Sequence, residues 1–283
     1  MLENCSGSVD VGFAALSYGQ AVFLGVIQGI TELLPISSTA HMRVVPALLG
    51  WNDPGSAFSA AMQLAALLAV VTYFASDIRG LAGSTFKAIA RRDYRDPAFR
   101  LSLGIVLATI PIVVAGIALA PLLNQCHSPL RSLSVIGYSS LGMAILLGLA
   151  EVIARHKRAF AGVRLIDAIV VGLAQAGALI PGVSRSGSTL TAAMFLGFKR
   201  EDAARFSFLL GVPAIALAGI KEIWVLAHLD LSLHVWSILG VGLVSGSISA
   251  FFAIWGLLKF LERMSTWPFI IYRAALGVYL LMM

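Results

Sequence analysis

The sequence predicts an all-α integral membrane protein, with six transmembrane helices plus two opposed re-entrant helix pairs in an inverted-topology repeat. Three observations predict it. Of 283 residues, 59% are hydrophobic and only 12% charged, where a soluble domain carries about 25% charged residues. Lys and Arg gather in alternate loops, as they do in chains threaded through a membrane. Two apolar segments, at corresponding places in the two halves, are too short and too polar at their centres to be plain spans. One integral domain over residues 1–283 is expected, with halves at about 12–153 and 165–283.

Residues 18–36 are apolar but broken by Gln28, Gly29, Thr31, Glu32 and Pro35; Ile36 to His41 is rich in hydroxyls, and a short apolar piece, Met42 to Leu49, follows. The turn Gly50 to Gly55 closes this unit. Residues 57–75 form a span, and 76–100 a loop with six basic residues, Arg79, Lys87, Arg91, Arg92, Arg95 and Arg100. Further spans are expected at 101–122, with a kink or local opening at Pro111, and at 133–153. A basic loop at 154–164 precedes the second broken unit, which runs from 165 to 198. Spans at 203–224, 236–258 and 268–283 complete the chain. The N-terminal residues carry no basic region of the kind that opens a cleaved signal peptide.

Charge then sets sidedness. Loops 76–100, 154–164, 199–200 and 259–263 are basic and belong inside; loops 50–56, 123–132 and 225–235 are poor in Lys and Arg and belong outside. Both ends of 165–198 therefore lie inside, so this segment enters the membrane and returns. Residues 18–49 do the same from the outer face. The net charge of +6 thus reports topology, and no nucleic-acid partner is expected. A weak internal repeat agrees: Phe58-Ser59 and Phe206-Ser207 open the next span 23 and 25 residues after Pro35 and Pro181. Two hairpins entering from opposite faces bring their tips together near mid-membrane.

The tips hold the chemistry. Pro181-Gly182-Val183-Ser184-Arg185-Ser186-Gly187-Ser188-Thr189 combines hydroxyls, glycines and an arginine between apolar flanks. Arginine at bilayer depth costs roughly 2.5–3.5 kcal/mol on insertion scales, so it marks function. Its fork matches phosphate oxygens, and Ser184, Ser186 and Thr189 add donors. The stretch lacks the Gly-Lys-Ser/Thr ending of a Walker A loop. Helix capping is the plainer role for some of these serines. Gln28 and Glu32, four apart, share a helical face and offer a hard-cation site; the alternative is that Glu32 only pairs with Arg185. His41 offers an acid, base or nucleophile, and Ser38 a nucleophile if His41 or a metal activates it. Ser37 and Thr39 are suited to satisfying backbone at the turn. Cys5 and Cys126 have no metal-type spacing, and a disulfide between them stays open.

GVIQGITELLPISSTAH and PGVSRSGSTLTAAMFLGF resemble the two signature regions of the undecaprenyl-diphosphate phosphatase family of the bacitracin-resistance type. The similarity extends to MQLAALLAVV, FSFLLGVPAIALAG and FIIYR, so it covers essentially the whole chain. The resemblance implies hydrolysis of undecaprenyl diphosphate to undecaprenyl phosphate and inorganic phosphate, recycling the lipid carrier of bacterial cell-wall synthesis and conferring bacitracin resistance. It implies a divalent cation, Mg2+ with Ca2+ as the alternative, on Glu32 and Gln28. Gln28 stands in the variable first position of the family's acidic pair. The family's functional positions carry over to Glu32, Ser38 and His41, and its phosphate-binding motif to Ser184, Arg185 and Thr189. Arg185 is also expected to be catalytic, and Ser186 and Ser37, the neighbouring hydroxyls, are expected to join in binding the diphosphate. Ala40 replaces the family's usual glycine before His41. A multi-pass protein of the bacterial plasma membrane is implied, meeting lipid, with its site open to the external side; a dimeric family member leaves a homodimer open. The competing class is a transporter or flippase for a phosphorylated lipid, since broken helices in inverted repeats are common there.

Overall fold

A computed structural model describes residues 5–6, 9–123 and 128–283. Cys126, and with it any pairing with Cys5, lies outside the described residues. Apart from a two-residue β pairing of Cys5–Ser6 with Val9–Asp10 and short 3-10 turns, the described chain is helical. Five segments are long and apolar enough to cross a membrane: Gly55–Tyr73, Pro97–Leu122, Leu133–Ile153, Arg200–Ala227 and Leu233–Leu261. Their outer surfaces are apolar, with Ile117 72% and Phe252 63% exposed. Such a face is at home in lipid, and this is a multi-pass membrane protein.

The first broken unit is α1 (Tyr18–Leu33) and α2 (Ser38–Leu48). Ser17 starts α1 with a capping box completed by Gln20. Pro35 lacks an N–H and biases Leu34 to extended backbone, so the helix stops there. The following span is split by a turn at Met62 into α3 (Gly55–Ala61) and α4 (Gln63–Tyr73).

The expected loop 76–100 is not a loop for most of its length. It forms α5 (Ala75–Ala90), with Ile78 and Leu81 against the core and Arg79 outward, donating to the Ala75 carbonyl. Asp77 in its first turn and Lys87 in its last suit the helix dipole. The basic charge that marks a cytoplasmic loop also suits the wet face of an amphipathic helix, which hid this element in the sequence.

Long α6 (Pro97–Leu123) runs through Pro111 without ending. Next come α7 (Leu133–Ile153), then α8 (Leu165–Ala176) and α9 (Arg185–Phe195), which form the second broken unit. The chain closes with α10 (Arg200–Ala227), α11 (Leu233–Leu261) and α12 (Trp267–Met282). At 16 residues α12 is shorter than the five long segments.

The packing partners are reciprocal. α1 lies along α11 as α8 lies along α6; α4 meets α10, α7 meets α12, and each broken unit packs its two helices together. Small residues permit the two main seams. Gly25 and Gly29 on α1 face Gly242, Ser245, Gly246 and Ser249 on α11; a Cβ on Gly29 would stand 2.2 Å from the Gly246 carbonyl oxygen. On α8, a Cβ on Gly172 would stand 2.5 Å from the Ala108 oxygen. Such seams bring backbones close without side-chain bulk. Gly29→Leu is therefore expected to destabilise the protein by about 1–3 kcal/mol through overpacking, seen as a lowered thermal unfolding midpoint in detergent. Gly80→Leu on α5, which meets open space, should leave that midpoint unchanged.

The apolar interior divides into two main clusters. One holds Leu33, Val70, Phe74, Leu147 and Phe206; the other holds Phe13, Leu24, Met42, Phe58 and Ile238. On α1 the change falls between Leu24 and Leu33, the stretch that carries Gln28 and Glu32.

Candidate active site

Both tips are built alike. Ser37 and Ser184, each just after the break, adopt left-handed backbone, φ 71° and 70°. Each caps the helix that follows: the Ser37 hydroxyl accepts from the Ala40 N–H and the Ser184 hydroxyl from the Gly187 N–H. Non-glycine residues rarely hold this conformation. Here the cap hydrogen bonds and the surrounding packing hold it, and each short helix is aimed back from the tip.

The tips meet at Glu32, which is 5% exposed. Its Oε1 accepts from Arg185 Nη2 at 3.0 Å, across 153 positions of sequence. Its Oε2 accepts from the Ser38 hydroxyl at 2.5 Å and from Gln28 Nε2 at 3.0 Å. Gly211 lets Arg185 lie there, since a Cβ at that position would stand 1.7 Å from Arg185 Nη1. A cavity of about 420 Å³ opens on this group, lined at its polar end by Glu32, Ser38, Thr39, Ser184 and Arg185. Ile112, Ile117, Leu179 and Leu217 furnish an apolar wall, and Gln63, Lys221 and Glu222 add polar groups.

The other expected residues do not line this cavity. His41 donates from Nδ1 to the Ser37 carbonyl at 2.7 Å, since a carbonyl can only accept; Nε2 then accepts from the Tyr272 hydroxyl at 2.6 Å. The Tyr272 ring also stacks on His41, 5.6 Å between centroids. Ser186 donates to the Leu34 carbonyl at 3.0 Å, tying the second tip to the first. Thr189 donates to the Arg185 carbonyl at 2.7 Å and meets the Ser207 hydroxyl. Ser37 meets Thr39 at 3.1 Å besides capping α2. In this structure these groups hold backbone and orient neighbours.

Reading the motifs one by one missed Arg273. Its side chain is 1% exposed and lies between the tips. Nη1 donates to the Pro35 carbonyl at 2.9 Å; Nη2 donates to the Gly182 and Val183 carbonyls at 2.6 and 3.1 Å. The signal was present: an arginine inside an apolar helix calls for the explanation that Arg185 received.

Among the described residues no group of three or more His, Cys, Asp or Glu could hold a metal. The oxygen groups at this end of the cavity are the Glu32 carboxylate and the Ser38, Thr39 and Ser184 hydroxyls; behind them Gln28 turns Nε2 to Glu32 and keeps Oε1 buried without a hydrogen-bond partner. That set does not suit zinc, which wants several nitrogen or sulfur ligands. It fits a hard cation that takes its remaining ligands from phosphate and water.

Fold and site together define a multi-pass helical membrane protein with a buried carboxylate–serine–arginine group at the end of a half-apolar cavity. The chain belongs to the family described as bacitracin resistance protein BacA, whose match covers residues 21–279. It is 69% identical over 256 residues to undecaprenyl-diphosphatase 2 of Mesorhizobium japonicum, covering 90% of this chain and 97% of that one. It is 53% identical over 262 residues to undecaprenyl-diphosphatase of Gloeobacter violaceus, with 93% and 90% covered. The undecaprenyl-diphosphatase of Trichormus variabilis is 48% identical over 275 residues, with 97% and 86% covered.

Proposed function

We propose that this protein hydrolyses undecaprenyl diphosphate to undecaprenyl phosphate and inorganic phosphate, recycling a lipid carrier for cell-wall synthesis and conferring bacitracin resistance. The observation that carries the proposal is the Glu32–Ser38–Arg185 group, assembled from two tips in one cavity. Its relatives' names agree. The cavity's polar end suits a diphosphate and its apolar wall the first part of a prenyl chain.

The Ser38 hydroxyl already donates to Glu32, the contact of a nucleophile with its base. In the proposed reaction Glu32 takes the Ser38 proton as Oγ attacks the terminal phosphorus. The bond from that phosphorus to the bridging oxygen breaks, and undecaprenyl phosphate leaves with the electron pair. Water then attacks the phosphorus of the phosphoserine, the bond to Ser38 Oγ breaks with its electron pair on Oγ, Glu32 returns its proton to Oγ, and inorganic phosphate leaves with the protons of the water. Arg185 and the Ser184 hydroxyl hold the phosphoryl oxygens as charge spreads over them. His41, bonded to the Ser37 carbonyl, holds the first turn of α2 so that Ser38 faces Glu32. Ser37, Ser186 and Thr189 serve the diphosphate indirectly, by fixing the backbone of the two tips. Glu32 and Gln28 would hold Mg2+, or Ca2+ in its place, which supplies charge neutralisation to the phosphates.

The proposed architecture is one domain over 1–283, with six spans and two re-entrant pairs of opposed sense. Reciprocal packing and the matched Ser37 and Ser184 caps support it. The protein is placed in the bacterial plasma membrane, with the cavity open to the outer face because loops 50–56 and 225–235 carry no Lys or Arg. A homodimer accords with the family. Transport of a phosphorylated lipid is set aside, since the serine–carboxylate contact has no part in it.

The test is phosphate release in detergent from an undecaprenyl diphosphate, followed with and without chelator. Release that falls at least tenfold in EDTA and returns with Mg2+ is expected. No release by the wild type would sink the hydrolase reading, and release indifferent to EDTA would remove the cation from it.

A further inference from the structure

Two ionisable residues in the cavity lining have no part in the chemistry above. Lys221 and Glu222 lie on α10, on the cavity-facing stripe that starts at Gly211 beside Arg185 and continues through Ala214, Ile215 and Ala218. Ten residues separate Gly211 from Lys221, or about 15 Å of helix at 1.5 Å per residue. Lys221 therefore stands far along the cavity from Arg185 and cannot share one phosphate with it. Apolar wall lies between the two levels.

Charge accounting separates the two cations. Arg185 is committed to Glu32 in the structure. Lys221 is exposed, and no ion pair among the described residues includes it or Glu222. Glu222, its neighbour in sequence, lines the same cavity and lies near enough to feel the Lys221 charge, but forms no ion pair with it. Of the two cations lining the cavity, Arg185 carries an ion pair with Glu32 and Lys221, among the described residues, carries none, so Lys221 meets an incoming anion without first parting from a carboxylate. Its place is also unexpected from topology. It sits at the end of α10 that leads into residues 225–235, where there is no Lys or Arg, and a basic residue there runs against the charge bias that orients the chain.

We infer that Lys221 is a capture residue, which binds the anionic diphosphate headgroup at the mouth of the cavity before the headgroup reaches Arg185. The inference rests on the phosphatase reading of the site. Capture by a mobile, hydrated ammonium suits a step that must be reversible, because Lys is a point charge on a flexible stem. The bidentate hold of Arg185 is kept for the reacting phosphate. A cation at the mouth of a low-dielectric cavity raises the local concentration of a polyanion, and does so less at high salt.

The experiment compares wild type, Lys221→Gln and Lys221→Arg in detergent, with undecaprenyl diphosphate, at low and high ionic strength. Lys221→Gln should raise KM roughly threefold or more, hold kcat within about twofold, and flatten the salt dependence of kcat/KM. Lys221→Arg should restore the wild-type values. Thermal unfolding of each variant shows that the fold is intact. A folded Lys221→Gln with unchanged KM and salt slope would overturn the inference, as would a fall in kcat with KM unchanged. If the wild type itself releases no phosphate, the hydrolase reading fails by itself. Binding of undecaprenyl diphosphate to wild type and Lys221→Gln then decides about Lys221, and equal affinity would overturn its role.

Discussion

Ser38→Ala is expected to lower kcat for phosphate release by about 10³-fold or more while leaving KM close to wild type, and Arg185→Ala to lose about 10³–10⁵-fold. The two losses have different origins. In the proposed reaction Ser38 is the attacking group, so in Ser38→Ala undecaprenyl diphosphate should still bind and only the chemical step should fail. Arg185 is removed from the phosphate and from Glu32 together, because Glu32 Oε1 accepts from it in the free protein. Arg185→Ala should therefore also cost stability, since it leaves a buried carboxylate without its counter-charge. Glu32→Gln should match Ser38→Ala in kcat if the carboxylate is the base that Ser38 needs. The check is steady-state kinetics in detergent alongside thermal unfolding. Full activity in Ser38→Ala would remove serine attack and leave water as the nucleophile.

Arg273→Leu should be the most damaging change outside the cavity. Four backbone carbonyls, from Ser140, Pro35, Gly182 and Val183, accept from this one guanidinium, the last three belonging to the two tips. A buried acceptor left unpaired costs about 1–3 kcal/mol, so the loss is several kcal/mol, and folded protein should be scarce. Arg273→Lys is the informative variant. A single ammonium can reach one tip but cannot fork between both. The protein should fold, while kcat falls about 10²-fold, the loss expected when reacting groups are displaced by about an ångström. Size-exclusion behaviour and kinetics of the two variants test this. Wild-type kcat in Arg273→Lys would show that the tips need no clamp.

Much of the fold was legible because lipid imposes simple rules. Apolar length marked the spans, and α7 occupies the residues expected of it, 133–153. Proline, glycine and hydroxyls inside apolar segments marked both breaks, since nothing else interrupts a helix there so reliably. What misled was charge at the surface. Six basic residues read as one loop, yet only Arg91, Arg92 and Arg95 lie between helices; Arg79 and Lys87 stand on α5, where they masked the core-facing Ile78 and Leu81, and Arg100 stands on α6.

The site was legible in content but not in arrangement. The sequence by itself determined that an arginine and a glutamate stand in apolar surroundings, each beside a hydroxyl-rich turn, and the cost of such residues in lipid explains why they matter. It also carried enough of the family's pattern to place the chain. Only the tertiary structure decided which hydroxyl faces Glu32, that Arg185 reaches it across 153 positions, and that Arg273 fastens the tips together. Serine and threonine serve equally as caps, backbone partners or nucleophiles, so residue type cannot sort them. The sorting comes from the seams at Gly29 and Gly172, where close backbone approach sets which helices share one cavity, and from Gly211, whose missing Cβ admits the Arg185 side chain. That approach is a long-range property of packed helices, and no local spacing in the chain encodes it.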